Sequence, residues 1–229
     1  MPAATATREK TFLLARPEGH ALEWIARRVP RRVLPDHLTL LGVVAAVGIA
    51  AAYVLSNGDS AWLWAASGLL VVHWLGDSLD GTLARVRRIE RPTYGYYLDH
   101  LVDAVATAVI GIGLGLSPHL LLATGMVLVI AYLVLSINTY LETQALGVFR
   151  LGYGRLGPTE ARLGLIALNT ALALGAPLGF ELAGVGLTVL DVVVLGAAAA
   201  MAGGLAVRAT ATLRLLAARE PAARVRPLS

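Results

Sequence analysis

DSLDGTLARVRRIERPTYGYYLDHLVD, residues 77–103, carries four aspartates at the ends of two long apolar segments. On a helix, Asp77 and Asp80 are about 60° apart and Asp99 and Asp103 about 40° apart, so each pair lies on one helical face. A carboxylate inside a membrane helix costs about 2.5–3.5 kcal/mol on insertion scales, and its default interpretation is therefore functional. The stretch predicts two neighbouring membrane helices that each present two carboxylates.

The composition of the whole chain supports a membrane setting. Of 229 residues, 57% are hydrophobic, and the mean hydropathy is +0.69. A helix needs roughly 20 apolar residues to cross the hydrocarbon core, and six consecutive blocks come close to that length or reach it, which argues against a soluble protein with a large core. We predict an all-α integral membrane protein with six transmembrane helices, at about 38–56, 61–80, 95–116, 119–141, 161–179 and 184–207.

The positions of the basic residues predict the orientation. All nineteen Lys and Arg fall within or at the edge of four segments, 1–37, 81–94, 142–161 and 208–229, with Arg162 at the edge of the third. The intervening turns carry none, which follows the positive-inside rule. We therefore expect both termini and the aspartates on the cytoplasmic side of the cell (inner) membrane. The net charge of +4 then needs no nucleic acid as a partner, because basic residues at this face also attract anionic lipid headgroups.

Three parts of the chain are distinguished. Residues 1–34 are predicted to form a cytoplasmic tail and an interfacial amphipathic helix from Gly19 to Val29, a juxtamembrane linker being the alternative. Residues 35–210 are predicted to form the six-helix transmembrane domain, in which Asp36 is placed to cap the first helix, and residues 211–229 are predicted to form a basic cytoplasmic tail. Cysteine is absent, which excludes disulfides and thiolate metal sites.

The aspartates suit a site for hard cations. Four carboxylates on two helices can converge into an all-oxygen cage for Mg²⁺, Mn²⁺ or Ca²⁺, whereas without cations they would repel each other. Two cations about 3.5–4 Å apart could clamp a pyrophosphate. Gly81 and Ala84 would let a nucleotide approach the helix, and Arg85 would add a positive charge for phosphate. The alternative is structural: Asp77 or Asp80 could pair with a basic residue at the membrane edge, the candidates being Arg85, Arg87 and Arg88.

The full pattern resembles the defining motif of the CDP-alcohol phosphotransferase family. Its fixed positions are all filled, by Asp77, Asp80, Gly81, Ala84, Arg85, Gly95, Asp99 and Asp103. The segment Pro35-Asp36-x-x-Thr39 is similar to the family's Pro-Asn-x-x-Thr, with Asp in place of Asn.

The resemblance implies a site as well as a family. Two divalent cations, Mg²⁺ or Mn²⁺, would be held by Asp77, Asp80, Asp99 and Asp103, and Asp103 would also act as catalytic base. Nucleotide binding would fall to Gly81, Ala84, Arg85, Gly95 and Thr39. Members commonly form homodimers, and a homodimer is expected here.

The resemblance further implies an enzyme of phospholipid synthesis, with membrane lipids as partners. The expected reaction moves a phosphatidyl or other phosphoalcohol group from a CDP-linked donor, foremost CDP-diacylglycerol, to an acceptor hydroxyl, and CMP is released. The alternative is transfer from CDP-choline or CDP-ethanolamine to a diglyceride, since Gly157-Pro158-Thr159-Glu160 loosely resembles a Gly-Pro-x-Glu segment of that branch.

Several assignments stay open at this point. Arg150 and Arg155 are candidates for binding the phosphate of an acceptor, although positive-inside charges explain them equally well. His73 lies one turn before Asp77 and is either a packed polar residue or a hydrogen-bonding partner of the site. From other classes of protein, a divalent-cation transporter and a non-catalytic lipid-binding scaffold are possible. A transporter would more naturally place its carboxylates at mid-membrane, and it gives no reason for Gly81, Ala84 and Arg85.

Overall fold

The computed structural model describes residues 14–147, 157–176, 179–182 and 184–220. Each of the six predicted apolar blocks coincides with a helix, and a further helix precedes them. In chain order the helices are α1 Ala15–Ala26, α2 Pro35–Leu55, α3 Trp62–Arg87, α4 Pro92–Gly115, α5 Leu122–Leu146, α6 Pro158–Ala173 and α7 Val189–Arg219; the strands are β1 Gly179–Leu182 and β2 Val185–Thr188.

Four helices of the described part are long and apolar enough to cross a membrane, namely α2, α4, α5 and α7. The other two blocks differ for separate reasons. Helix α6 has 16 residues, which is shorter than the roughly 20 that a span needs. Helix α3 has the length but carries Asp77, Asp80, Arg85 and Arg87 in its second half. The fold is thus a mostly helical, multi-pass membrane protein, and six spans remain a prediction.

A β-hairpin precedes α7 and is an addition to the predicted all-α fold, which the mostly helical structure supports. Strands β1 and β2 pair antiparallel between Gly179 and Thr188, and Gly184 in their turn has a φ of +78°, a conformation that glycine adopts readily. The last helix therefore begins at Val189 and not at 184. It begins there because Thr188 and Asp191 form a capping box that satisfies the first backbone N–H groups.

Asp191 also joins α7 to the turn before α5. Its carboxylate accepts hydrogen bonds from the backbone N–H of Leu121 at 3.0 Å and of Thr188 at 2.8 Å. The side chain is buried, with 1% of the residue exposed. A buried donor that loses its partner costs about 1–3 kcal/mol.

Asp191→Ala is therefore expected to lower the free energy of unfolding in detergent by about 2–4 kcal/mol, because two backbone donors lose their acceptor together. Thermal denaturation of the purified chain measures this. Glu181→Ala is the control, since Glu181 is an exposed carboxylate in β1 and its loss should stay within about 0.5 kcal/mol. Equal losses for the two variants would contradict the structural role of Asp191.

The contact between α2 and α3 is unusually close. A Cβ on Gly76 would lie 2.6 Å from the backbone nitrogen of Gly42 and 2.7 Å from the carbonyl oxygen of Leu38. Real Cβ atoms do not approach backbone this closely, so only glycine fits. Because Gly76 immediately precedes Asp77, this contact sets the distance of the first aspartate from α2.

Away from this contact, three polar side chains of the core are joined by hydrogen bonds into a buried network. The hydroxyl of Tyr53 donates to the amide oxygen of Asn169, and the amide nitrogen of Asn169 donates to Ser67, both at 3.2 Å. Tyr53 and Asn169 are almost wholly inaccessible, with 0% and 1% exposed. This hydrogen-bond network links α2, α6 and α3, so the short helix α6 is held in the bundle by hydrogen bonds as well as by apolar packing.

Helix α1 overlaps the segment 19–29 that was predicted to form an amphipathic helix, and it begins and ends earlier. Its apolar face is buried in a cluster with residues of α2 and α3, while Trp24 is 59% exposed on the other side. The guanidinium of Arg28 lies 3.8 Å from the centre of the Trp24 ring. The location of α1 at a membrane surface stays a prediction. The clustered residues are Leu22, Ala26, Leu38, Leu79 and Leu83.

Asp36 does not cap α2, and that prediction was wrong. The N-cap is Leu34, whose backbone N–H is bound by the ring of His37 at 3.2 Å. Both carboxylate oxygens of Asp36 instead accept from Arg91, at 2.5 and 2.7 Å. This hydrogen bonding raises the pKa of Arg91 above its ordinary value. The pair joins the first residues of α2 to the start of α4, which lies next to the candidate site.

Candidate metal and nucleotide site

Helices α3 and α4 bring three of the four predicted aspartates together. Oxygen atoms of Asp77, Asp99 and Asp103 all lie within 4.8 Å of one another. Asp99 and Asp103 are one turn apart on α4, and Asp77 faces them from α3, so the helical stripes inferred from the sequence do converge. All three residues are partly buried, which makes their mutual repulsion stronger than in water.

Asp80, the fourth aspartate, is oriented by α2 and by its own helix. Its Oδ2 accepts from the hydroxyl of Thr39 at 2.6 Å, and its Oδ1 accepts from the backbone N–H of Gly81 at 2.5 Å. The Asp80 carboxylate interacts electrostatically with Asp77 and Asp99. It is not one of the three carboxylates whose oxygens lie within 4.8 Å of one another. Thr39, predicted to bind nucleotide, thus contacts the carboxylate beside that site.

Arg162 was not predicted to belong to the site. It lies in the second turn of α6, and its Nη2 is 2.5 Å from Oδ2 of Asp77. Their side chains are 14% and 20% exposed, so the pair is largely removed from solvent. The structural alternative that Asp77 pairs with Arg85, Arg87 or Arg88 is not what the structure shows. Local sequence patterns could not predict this contact, because the partners are 85 positions apart in the sequence.

Of the residues predicted to bind nucleotide, Gly81, Ala84 and Arg85 lie on α3 and Gly95 lies on α4, whereas Thr39 lies on α2. A Cβ on Gly95 would meet nothing within 4 Å among the described residues, and a Cβ on Gly81 would meet only the end of the Arg85 side chain, at 3.3 Å. Arg85 is exposed and donates to the hydroxyl of Thr82 at 3.0 Å. Ala84 is partly buried one turn beyond Asp80. The two glycines therefore have free space around them, each one helical turn from an aspartate of the site, Asp77 for Gly81 and Asp99 for Gly95.

Two histidines stand next to the aspartates. His100 on α4 packs between Tyr96 and Tyr140, with ring centres at 4.2 and 5.1 Å, and its Nδ1 lies 3.7 Å from Oδ2 of Asp99. His73 is buried, and its Nδ1 has no hydrogen-bond partner among the described residues. Tyr96 and His100 are one helical turn apart, and this spacing is the one feature of the sequence that predicts the packing of His100 against a tyrosine. Arg150 and Arg155 lie outside the described residues.

The chain is similar to known proteins over most of its length. The family model of the CDP-alcohol phosphatidyltransferases matches residues 32–202, which include all four aspartates and most of the chain. The chain belongs to the CDP-alcohol phosphatidyltransferase family. A similar curated protein is the CDP-diacylglycerol–serine O-phosphatidyltransferase of Encephalitozoon cuniculi (strain GB-M1), with 33% identity over 125 residues. The alignment covers 50% of this chain and 32% of that protein, so the chain spans about a third of the relative's length.

Members of the CDP-alcohol phosphatidyltransferase family use divalent cations, and the residues present here fit such ions. Asp77, Asp99 and Asp103 offer oxygen ligands at one point, which is the donor set that Mg²⁺ and Mn²⁺ prefer. The three carboxylates carry more negative charge than the one guanidinium that the structure places against them, that of Arg162 on Asp77. The surplus of negative charge favours a bound cation. Which metal binds, and how many ions, stays a prediction.

Arg162 supplies a counter-charge to Asp77, so Arg162→Met should destabilise the metal-free enzyme. Removing one partner of a buried ion pair costs about 3–5 kcal/mol, and the remaining carboxylates add repulsion. A bound divalent cation would replace the lost charge, and saturating Mg²⁺ should therefore recover most of this loss. Thermal denaturation with EDTA and with Mg²⁺ measures both effects.

Arg214→Met is the control for this prediction, because Arg214 is exposed on α7 and its loss should change stability by no more than about 0.5 kcal/mol. A loss of stability in Arg162→Met that is the same with Mg²⁺ as with EDTA would contradict a role as counter-charge.

Proposed function

We propose that this protein transfers a phosphatidyl group from CDP-diacylglycerol to the hydroxyl of a small alcohol and releases CMP. The observation that carries the proposal is the convergence of Asp77, Asp99 and Asp103 from two helices within 4.8 Å. The family match and the name of the relative support a CDP-linked lipid as donor.

Each residue of the site has a proposed role. Asp77, Asp80, Asp99 and Asp103 hold two divalent cations, Mg²⁺ or Mn²⁺. Bound cations of this kind screen the charge of a pyrophosphate and stabilise the attacking and leaving oxygens. Thr39 orients Asp80 through their 2.6 Å hydrogen bond. The backbone at Gly81, Ala84 and Gly95 leaves room for the nucleotide, and Arg85 contributes positive charge toward its phosphates.

Asp103 is the proposed general base. An Asp103 oxygen takes the proton of the acceptor hydroxyl, and the acceptor oxygen attacks the phosphorus distal to cytidine. A new phosphorus–oxygen bond forms to the acceptor while the bond to the bridging oxygen breaks, and CMP leaves with that oxygen. The proton stays on Asp103 until solvent removes it. Arg162 pairs with Asp77 at 2.5 Å, and His73 lies one turn before Asp77 on α3.

We also propose a membrane topology for the protein. Six spans with both termini in the cytoplasm place all four aspartates on the cytoplasmic side of the cell membrane, where water-soluble acceptors arrive. The support is the distribution of Lys and Arg, since α3 and α6 fall short of the usual criteria for a span. A homodimer is expected as well. Residues 35–210 would form the catalytic domain in each protomer.

The test is release of CMP by the full chain in detergent micelles. CDP-diacylglycerol is supplied in turn with serine, glycerol 3-phosphate and inositol phosphate, and CDP-choline and CDP-ethanolamine are each supplied with a diglyceride. We expect CMP with CDP-diacylglycerol and one of the alcohols, no CMP with EDTA, and recovery on addition of Mg²⁺ or Mn²⁺. Absence of CMP from every CDP donor would reject the function. Release from CDP-choline or CDP-ethanolamine alone would replace it by transfer to a diglyceride.

A further inference from the structure

We propose that Glu18 on α1 is a positioning residue that holds α3 and α6 at the separation required by the aspartate site. The inference rests on the proposed function, because it concerns the same carboxylates. Three donors converge on one oxygen, Oε1 of Glu18. They are the indole N–H of Trp74 at 2.8 Å, the hydroxyl of Thr159 at 2.9 Å and the hydroxyl of Ser78 at 3.4 Å.

The donors come from the two helices that form the ion pair of the site. On α3, Trp74 and Ser78 flank Asp77 at three residues before and one residue after it. On α6, Thr159 lies one turn before Arg162, whose Nη2 contacts Asp77 at 2.5 Å. Glu18 therefore bridges α3 and α6 within one turn of the place where Asp77 and Arg162 meet. A change in the distance between these helices would move Asp77 relative to Asp99 and Asp103.

Helix α1 has other attachments, so Glu18 is not needed merely to dock it. Leu22 and Ala26 are buried against apolar residues of α2 and α3. The guanidinium of Arg87 donates to the backbone carbonyls of Val29 and Pro30, each at 2.9 Å, just beyond the end of α1. These contacts lie toward the C-terminal half of α1 and beyond, whereas Glu18 lies in its first turn. Replacing Glu18 should leave α1 in place and loosen only the junction with α3 and α6.

Two substitutions of Glu18 separate an effect of its position from an effect of its charge. Glutamine keeps a carbonyl oxygen where Glu18 has Oε1, so it can accept from the same three donors, whereas alanine leaves them without an acceptor. If Glu18 acts by position, Glu18→Gln should resemble the wild type and Glu18→Ala should not. Thr159→Val removes one donor without changing the size of the side chain and should give an intermediate effect. Glu23→Ala is the matched control, because Glu23 lies on the exposed side of the same helix.

The measurement is the affinity for Mn²⁺, from the electron paramagnetic resonance signal of free Mn²⁺ titrated into the purified chain without substrates. Residues that orient metal ligands typically change affinity about 10- to 100-fold when replaced. We expect Glu18→Ala to weaken Mn²⁺ binding by about that factor, and Glu18→Gln and Glu23→Ala to stay within about threefold. CMP release at saturating Mn²⁺ is compared in the same samples, with thermal denaturation to verify that each variant is folded.

The Mn²⁺ titration distinguishes a failure of the inference from a failure of the proposed function. Wild-type affinity in Glu18→Ala, or an equal loss in Glu18→Gln and Glu18→Ala, overturns the inference and leaves the proposed function standing. If Glu18→Ala fails to fold, Thr159→Val decides, and wild-type Mn²⁺ binding in that variant overturns the inference. No Mn²⁺ binding and no CMP release by the wild type would overturn both the function and the inference.

Discussion

Asp103→Asn is expected to lower the rate of CMP release by about 10²- to 10⁴-fold, the usual contribution of a general base. Asparagine has nearly the size and shape of aspartate but cannot take the proton of the acceptor hydroxyl. It also removes one negative charge from the group formed with Asp77 and Asp99. The measurement is the initial rate at saturating CDP-diacylglycerol, acceptor and Mg²⁺, so that weaker binding does not enter the result.

The control for Asp103→Asn is Asp59→Asn. Asp59 lies between α2 and α3 at the opposite end of these helices, where its Oδ1 accepts from the backbone N–H of Ala61 at 2.8 Å. Asparagine retains that acceptor, so the rate should be that of the wild type. A rate in Asp103→Asn above about a tenth of the wild type would contradict the assignment of the base. Recovery of the rate at higher Mg²⁺ would assign Asp103 to metal binding alone.

Gly76→Ala is expected to reduce both the stability of the fold and the rate of CMP release. The added Cβ would lie 2.6 Å from the nitrogen and 2.8 Å from the Cα of Gly42. These are backbone atoms, so α2 and α3 must separate, and overpacking of this kind costs about 1–3 kcal/mol. The same separation would stretch the 2.6 Å hydrogen bond between Thr39 on α2 and Asp80 on α3. Thermal denaturation and CMP release are measured on the same preparation.

Gly68→Ala on the same helix is the matched control for Gly76→Ala. A Cβ there would meet nothing within 4 Å in the part of the chain that the structure describes. Alanine favours a helix over glycine by about 0.8–1.0 kcal/mol, so this variant should be at least as stable as the wild type and fully active. If the two variants behave alike, the close approach of α2 and α3 has no role in the site.

The family of this protein and the positions of its helices could be predicted from local sequence. Apolar blocks of about 20 residues predict helices in a membrane whatever they pack against, and each block overlaps a helix of the structure. Carboxylates spaced three or four residues apart share a helical face by geometry alone. The pairing of Asp99 with Asp103 therefore needed no tertiary information, and the motif from Asp77 to Asp103 was enough to indicate the family that the comparisons confirm.

The errors arose where local patterns compete. Asp36 follows Pro35 at the start of a helix and is a plausible cap, yet the nearby guanidinium of Arg91 takes both of its oxygens. A charged partner outweighs a neutral backbone donor, and Arg91 is 55 positions from Asp36 in the sequence, so no local pattern predicts their contact. The last block was assigned to one helix from 184, but Gly184 and the capping box at Thr188 divide it into a strand and a helix.

What the sequence by itself determined is the family, the helical segments and the four aspartates. Only the tertiary structure decided which of them meet. The folded structure places Asp77 next to Asp99 and Asp103, and it places Asp80 against Thr39. It also brings Arg162 of α6 and Glu18 of α1 into contact with α3. The physical reason is that periodicity along one helix assigns residues to its face, whereas the neighbour of that face depends on packing between helices. At Gly76 that packing depends on the absence of a single Cβ, which no periodic pattern records.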